Sequence, residues 1–254
     1  MTILCVPYHL DEYLPRFRFR LPERVGTVEA DLPDADRWTR MAALHGAVAD
    51  RVAAHVRAGR VPKVLSGDCM VALGTTAGVQ RAGVDPAVVW FDAHGDVQTM
   101  QTSASGYEGG IPLRVLAGYR PDPATDRLGL RDIDEERLLL VDGRDLDPPE
   151  VEYLRGSAVR RSTVAGIEPT VLPEGPLLLH VDLDVIDASE APGLLFPTPG
   201  GPRTDEVLTA VRTVLETGRV TALSVGCTWA PDEELDADGG VRDRLLTALL
   251  EASA

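Results

Sequence analysis

The stretch VVWFDAHGDV, residues 88 to 97, runs from four apolar residues straight into Asp92, His94 and Asp96. In an extended segment, residues i, i+2 and i+4 share one face, so these three side chains can point at one place. Carboxylate oxygens combined with an imidazole suit Mn²⁺ and also admit iron or zinc. A strand that ends in a solvated acidic turn is the other reading of the same residues. A second stretch, LLLHVDLDVIDAS at 177 to 189, repeats the pattern: Asp182 and Asp184 follow an apolar run, and Asp187 comes one step later. There the competing reading is a carboxylate that caps a following helix. Asp92, Asp96, Asp182, Asp184 and His94 can sit together only with cations, because unpaired buried charge is very costly. A pair of divalent ions sharing bridging carboxylates is the simplest arrangement that satisfies all of them.

The elements that must position these groups alternate short apolar runs with longer amphipathic stretches, the pattern of a parallel sheet covered by helices on both faces. TILCVPY, KVLSGD, AVVWFDAHGD, RLLLVDGRD, PLLLHVDLDV and VTALSVGC read as strands. Residues 35 to 59 show helical spacing and end at Gly59, a favourable C-cap. MVALGTTAGVQRAG reads as a helix closing at Gly83, and a last helix spans 240 to 254. The stretch from Gln98 to Gly110, rich in Ser, Thr and Gly, reads as a loop. Asp68, Asp92, Asp145 and Asp182 fall at the ends of expected strands. Ligands of open α/β sheets bind beyond the carboxyl ends of the strands, so these acids are expected to meet in one crevice.

The 254 residues, 44% of them hydrophobic, suffice for one large α/β domain spanning 1–254. No apolar run is long enough for a transmembrane helix, and the N-terminal residues read as a first strand rather than a signal peptide. A formal net charge of -15 repels phosphate backbones and anionic lipid, which argues against nucleic-acid and membrane partners. Cys5, Cys69 and Cys227 are widely and irregularly spaced; an odd count without a disulfide framework fits a reducing cytoplasm. Of the histidines outside the motif, His45 and His55 lie in an expected helix and read as surface or core-packing residues. His180 reads as sheet packing beside Val181, and His9 stands close enough to the first strand's end to reach the crevice.

From about Val61 to Pro231 the chain resembles the ureohydrolases, the family of arginase and agmatinase. That family carries GGDHS, then DAHxD, then DxDxxDP; here SGDCM (66 to 70), DAHGD (92 to 96) and DLDVID (182 to 187) follow in the same order. The resemblance implies a three-layer α/β/α fold with a mainly parallel sheet. It implies Asp92 and Asp182 as bridging metal ligands, His94 and Asp184 on one ion, and Asp96 with Cys69 on the other. By the same match VDGRDLDPPE places Asp147 at the substrate's amino group, supported by Asp145 and Glu150. A mere cap for a helix starting at Pro148 or Pro149 explains those acids equally well. The loop TSASGYEGG resembles the family's substrate loop and brings Ser105 and Gln98 near the ligand.

Three departures accompany the match. The metal-binding His of GGDHS is Cys69, a softer ligand less suited to Mn²⁺. Cys69 either binds a softer ion, or leaves that site weak or unused so that one ion remains, or is simply a small buried residue. The His-Gly pair that shuttles protons is replaced by Gly109-Gly110, and the Glu that holds the guanidinium is replaced by Cys227, or Thr228 in a register shifted by one. The first two changes resemble a branch of the family that removes hydroxyurea from Nω-hydroxy-arginine, whose N-hydroxyguanidine is less basic than guanidine and so depends less on a proton shuttle.

The expectation is therefore a metal-dependent amidinohydrolase carrying one or two ions, Mn²⁺ or another divalent metal. Its water would attack the central carbon of a guanidino or N-hydroxyguanidino group on a small arginine-derived compound, with Asp96 and His94 as the catalytic residues. Trimers or hexamers are the assemblies the resemblance implies. Two alternatives stay open: a catalytically retired member that binds a ligand or partner, and hydrolysis of another C–N bond such as a formimidoyl or amide group.

Overall fold

The computed structural model describes residues 3–15, 17, 25–226 and 240–252. The first strand, β1 (Ile3–Val6), leads into an antiparallel hairpin of β2 (Tyr8–His9) and β3 (Glu12–Tyr13). There follow β4 (Val25–Thr27), β5 (Lys63–Ser66), β6 (Ala87–Asp92), β7 (Leu138–Asp142), β8 (Arg160–Ser162), β9 (Leu177–Asp182) and β10 (Val220–Gly226). Among the described residues, the hairpin apart, these strands form one eight-stranded sheet in the order β4-β1-β5-β10-β9-β6-β7-β8. Every neighbouring pair in it is parallel.

Strand alternation divides the core into two. Val88 and Trp90 of β6 face the layer that holds α1 (Arg37–Arg57) and α2 (Val71–Arg81), where they meet Leu44, Val48 and Leu73. Val89 and Phe91 face the opposite layer. Two shorter helices, α3 (Pro112–Leu116) and α4 (Pro148–Gly156), follow β6 and β7. The opposite layer contains α5 (Thr204–Leu215) and α6 (Val241–Ala252), which contribute Val211, Val214 and Leu246. Each such side chain contributes roughly 1.5–3 kcal/mol by leaving water. This is the expected three-layer α/β/α architecture. The first long helix starts where Asp36 accepts the Thr39 N–H at 3.0 Å, and Gly59 closes it in the left-handed region at φ 68°.

The strands differ from expectation at both ends of the sheet. β4 and β8 are edge strands of three residues, VGT and RRS, too short and too polar to show an apolar period. The site strands also end sooner than the expected stretches AVVWFDAHGD and PLLLHVDLDV. Extended pairing of β6 stops at Asp92, and Asp96 adopts φ 54°. β9 likewise stops at Asp182 and turns through Leu183–Val185. The i, i+2, i+4 alternation therefore does not bring Asp92, His94 and Asp96 together. Short side-chain-stabilised turns do: the His94 N–H donates to Asp92 Oδ1 at 2.7 Å, and the Asp184 N–H to Asp182 Oδ1 at 2.9 Å.

Candidate active site

Because β5, β10, β9 and β6 lie side by side, their carboxyl ends deliver residues distant in sequence to one cavity of about 210 Å³. Cys69 enters from the turn after β5, Asp92, His94 and Asp96 from β6, and Asp182 and Asp184 from β9. The outer wall holds Gln98, Ser105, Asp147 and Glu150, and also Ser103, Tyr107 and Phe196. Cys227 lies outside the described residues. β10, between β5 and β9, ends in Gly226, where a Cβ would stand 2.8 Å from Cys69 Sγ and 3.2 Å from Asp182 Oδ2. Only glycine leaves that space to the side chains.

Among the described residues two groups of side chains are close enough to share an ion: Asp92, His94 and Asp184, and Cys69, Asp92 and His180. His94 Nδ1 stands 3.0 Å from Asp184 Oδ2 and 3.4 Å from Asp92 Oδ1. The Cys69 thiol donates to Asp182 Oδ2 at 2.7 Å. Asp96 Oδ2 is buried without a hydrogen-bond partner. A native fold rarely leaves such an atom orphaned unless something else engages it, and the donor set around it suits a divalent cation.

The electrostatics agree. Burial pushes Asp96 and Asp182 well above the ordinary carboxylate range, and neighbouring acids push them further. Asp184 is raised to about 7 by burial and Asp92. Burial works against a charged imidazole at His94, yet hydrogen bonds and charge from Asp184 and Asp92 prevail and push it up to about 12. A proton on His94 thus does part of what a cation would do for these acids. Burial also raises Asp92, but the His94 hydrogen bonds and charge leave it below its usual value. The Cys69 thiol is held high by burial and by Asp182, and burial lowers His180 to about 3.

The outer wall is organised by backbone capping. Asp147 precedes α4, and its own N–H donates to Glu150 Oε2 at 3.0 Å. Glu150 Oε1 accepts the Val97 N–H at 3.3 Å, tying α4 to the segment after β6. Asp147 Oδ2 accepts from Gln98 Nε2 at 3.0 Å. Helix capping and placement at the cavity therefore coexist in this pair of acids. Ser105 Oγ accepts the Tyr107 N–H at 3.2 Å.

Other acids and histidines fall elsewhere. Asp68 does not line the cavity; it is buried and accepts the N–H groups of Leu10 (2.6 Å) and Met70 (2.7 Å). Asp145 is exposed at the rim, 4.0 Å from His94 Nε2. Asp187 turns away to hold the N–H groups of Ser189 and Gly201, each at 3.0 Å. His9 reaches not the cavity but the hydroxyl of Tyr107, 3.3 Å from its Nε2. His45 is buried under α2, and His55 accepts from Arg60 Nε at 3.1 Å.

A family model described as the arginase family matches residues 15–230. The chain belongs to the arginase family. It is 35% identical to the arginase of Bacillus caldovelox over 161 residues, 58% of this chain and 54% of that protein. To the arginase of Eremothecium gossypii it is 32% identical over 198 residues, 72% and 49% of the respective chains. In those sequence matches the chain spans about half the length of each curated relative. Superposition on the native structure of the Bacillus caldovelox arginase at pH 5.6 covers 98% of this chain and 97% of that one, with TM-score 0.79 and 26% identity. The formimidoylglutamase of Bacillus subtilis shares the fold at TM-score 0.72 and 20% identity.

Residues that sequence reasoning missed complete this arginase-family cavity. Phe196 is 41% exposed at its mouth, 5.1 Å from the Tyr107 ring between centroids. His180, read as packing, has Nε2 3.3 Å from Cys69 Sγ. Arg144 clamps the turn after β9: its guanidinium pairs with Asp142 and donates to the carbonyls of Asp184 (3.0 Å), Val185 (3.1 Å) and Thr198 (2.8 Å). Its place in GRDLD was the available signal. Arg144→Ala strands Asp142 and those carbonyls, so denaturant unfolding is expected to show a loss of about 3 kcal/mol. Unchanged stability would refute the clamp.

Proposed function

We propose that this arginase-family chain is a metal-dependent amidinohydrolase acting on a small arginine-derived guanidino or N-hydroxyguanidino compound. The observation that carries the reading is the convergence of Asp92, His94, Asp182 and Asp184 around one cavity with the orphaned Asp96 Oδ2. Asp92, His94, Asp182 and Asp184 would hold a divalent cation, Mn²⁺ in this reading, with Cys69 and Asp96 beside a second. When bound, such ions supply Lewis acidity and bring the pKa of a water towards neutrality.

The protein's own groups do the rest. Asp96 Oδ2 accepts a proton from the attacking water and returns it to the departing nitrogen. The water oxygen joins the central guanidino carbon, the bond from that carbon to the chain nitrogen breaks, and an amine leaves with urea or hydroxyurea. Asp147, with Gln98 donating to it, meets the ammonium end of the substrate, and Ser105 contributes a hydroxyl at the same wall. Tyr107 and Phe196 narrow the mouth and limit access of bulk water. Glycines at 109 and 110 place no acid–base group where a shuttle would stand, which favours a substrate group less basic than guanidine, such as an N-hydroxyguanidine.

The reading includes a cytoplasmic, single-domain chain that works as a trimer or hexamer. No described helix is long and apolar enough to cross a membrane. The test is release of urea or hydroxyurea from L-arginine, decarboxylated arginine and Nω-hydroxy-L-arginine, with Mn²⁺, Fe²⁺, Ni²⁺ or Zn²⁺ supplied. Turnover of the hydroxylated substrate is expected to exceed that of arginine. Release from none of them by metal-loaded protein overturns the reading and favours a retired binding module.

A further inference from the structure

We propose that Cys69 Sγ and His180 Nε2, with carboxylate oxygens of Asp92 and Asp182, form a second cation site built for a borderline-soft divalent ion such as zinc. The proposal deepens the metal reading above and rests on it for Asp92 and Asp182 as ligands. The imidazole that the resemblance assigns to the loop at position 69 is then supplied from strand β9 instead.

Four observations support this ligand set. His180 Nε2 lies 3.3 Å from Cys69 Sγ. In a tetrahedral zinc site, with Zn–S about 2.3 Å and Zn–N about 2.0 Å, sulfur and nitrogen stand about 3.5 Å apart. Cys69 Sγ also lies 2.7 Å from Asp182 Oδ2, and single ligand atoms of Cys69, Asp92 and His180 are all within 4.8 Å of one another. Second, the imidazole is already oriented. His180 Nδ1 stands 3.2 Å from Ser224 Oγ, and its ring stacks on Trp90 with centroids 3.7 Å apart. Ser224 engages Nδ1 and leaves Nε2 as the ring nitrogen facing Cys69, the usual way a ligating histidine is fixed. The same Trp90 donates its indole N–H to Asp92 Oδ2 at 3.0 Å, so one side chain holds two of the ligands.

Third, Gly226 leaves room where a Cβ would collide with Sγ. Fourth, Asp96 Oδ2, outside this ligand set but in the same cavity, is buried without a partner, an independent sign that the cavity takes a cation. A thiolate with an imidazole selects zinc, cobalt or nickel over manganese, whereas the oxygen-rich set at His94 does not discriminate against manganese. The structure thus points to unlike ions at the two positions.

The full chain, stripped with chelator under reducing conditions and titrated with Co²⁺, reads this out directly. Wild-type protein is expected to develop a strong near-ultraviolet thiolate-to-cobalt band. Cys69→Ser removes the band, and His180→Gln weakens cobalt binding by about a hundredfold or more. Zinc X-ray absorption of wild-type protein, preloaded with Mn²⁺, is expected to show one sulfur and one imidazole neighbour; it keeps the proposal testable if His180→Gln misfolds. Cobalt bound without the band, or a zinc shell of oxygen alone, overturns it. One ion per chain, lost in Asp184→Asn but retained in Cys69→Ser, also overturns it and leaves the His94 site standing. No divalent ion at either position refutes both readings.

Discussion

Asp92→Asn is expected to lower hydrolysis of the guanidino substrate by about a thousandfold or more, roughly 4 kcal/mol of transition-state stabilisation. Asp92 belongs to both groups of side chains able to share an ion. Both its oxygens are already committed as acceptors, Oδ1 to the His94 N–H at 2.7 Å and Oδ2 to Trp90 Nε1 at 3.0 Å. An amide turned either way would set its NH₂ against one of those donors, and it removes the negative charge that both positions need. Metal content and kcat/KM should fall together. The fold should survive, because the surrounding β6 packing is untouched and the carboxylate is costly there without a cation. A variant keeping more than about a tenth of wild-type activity would falsify Asp92 as a shared ligand.

Metal-free protein is expected to lose stability as pH rises from about 6.5 to about 8, above the range in which the buried His45 and His180 act in the opposite sense, and divalent ions to restore more of it at the upper end. Asp96 and Asp182 have folded-state pKa values raised well above those of an unfolded chain. Between the two values the native state holds more protons than the unfolded one, so unfolding becomes easier with each step in pH. His94 has the same sign: its pKa is raised to about 12, so its contribution is complete below an unfolded value near 6.5 and declines above it. A cation bound at these acids replaces the protons and stabilises by mass action. Thermal melts with chelator and with added Mn²⁺ or Zn²⁺, taken across that range, check the slope. A metal-free Tm that climbs towards pH 8 would contradict the buried, mutually repelling acids.

Much of the site is written locally. An apolar run that halts at an acid marks the carboxyl end of a buried parallel strand, and it does so for Asp92 in β6 and Asp182 in β9. DAHGD and DLD then form their turns through their own side chains, needing no distant partner to bend. Residue type and spacing also set the ligand chemistry, and the order of three motifs pointed to the arginase family. The polar edge strands β4 and β8 carried no such pattern, because pairing to a neighbour, not burial, is what makes them strands.

Adjacency across the sheet belongs to the tertiary structure alone. Whether His180 is packing or a candidate ligand depends on Cys69, 111 residues away, and on β10 lying between β5 and β9 with a glycine at its end. Phe196 at the mouth and the left-handed turn at Asp96 are likewise products of how loops settle on the finished sheet. Hydrophobic periodicity reports which face of an element is buried, since burial repeats with the local geometry of the chain. It carries no information about which other element covers that face, because strand order is chosen by the summed packing of the whole core.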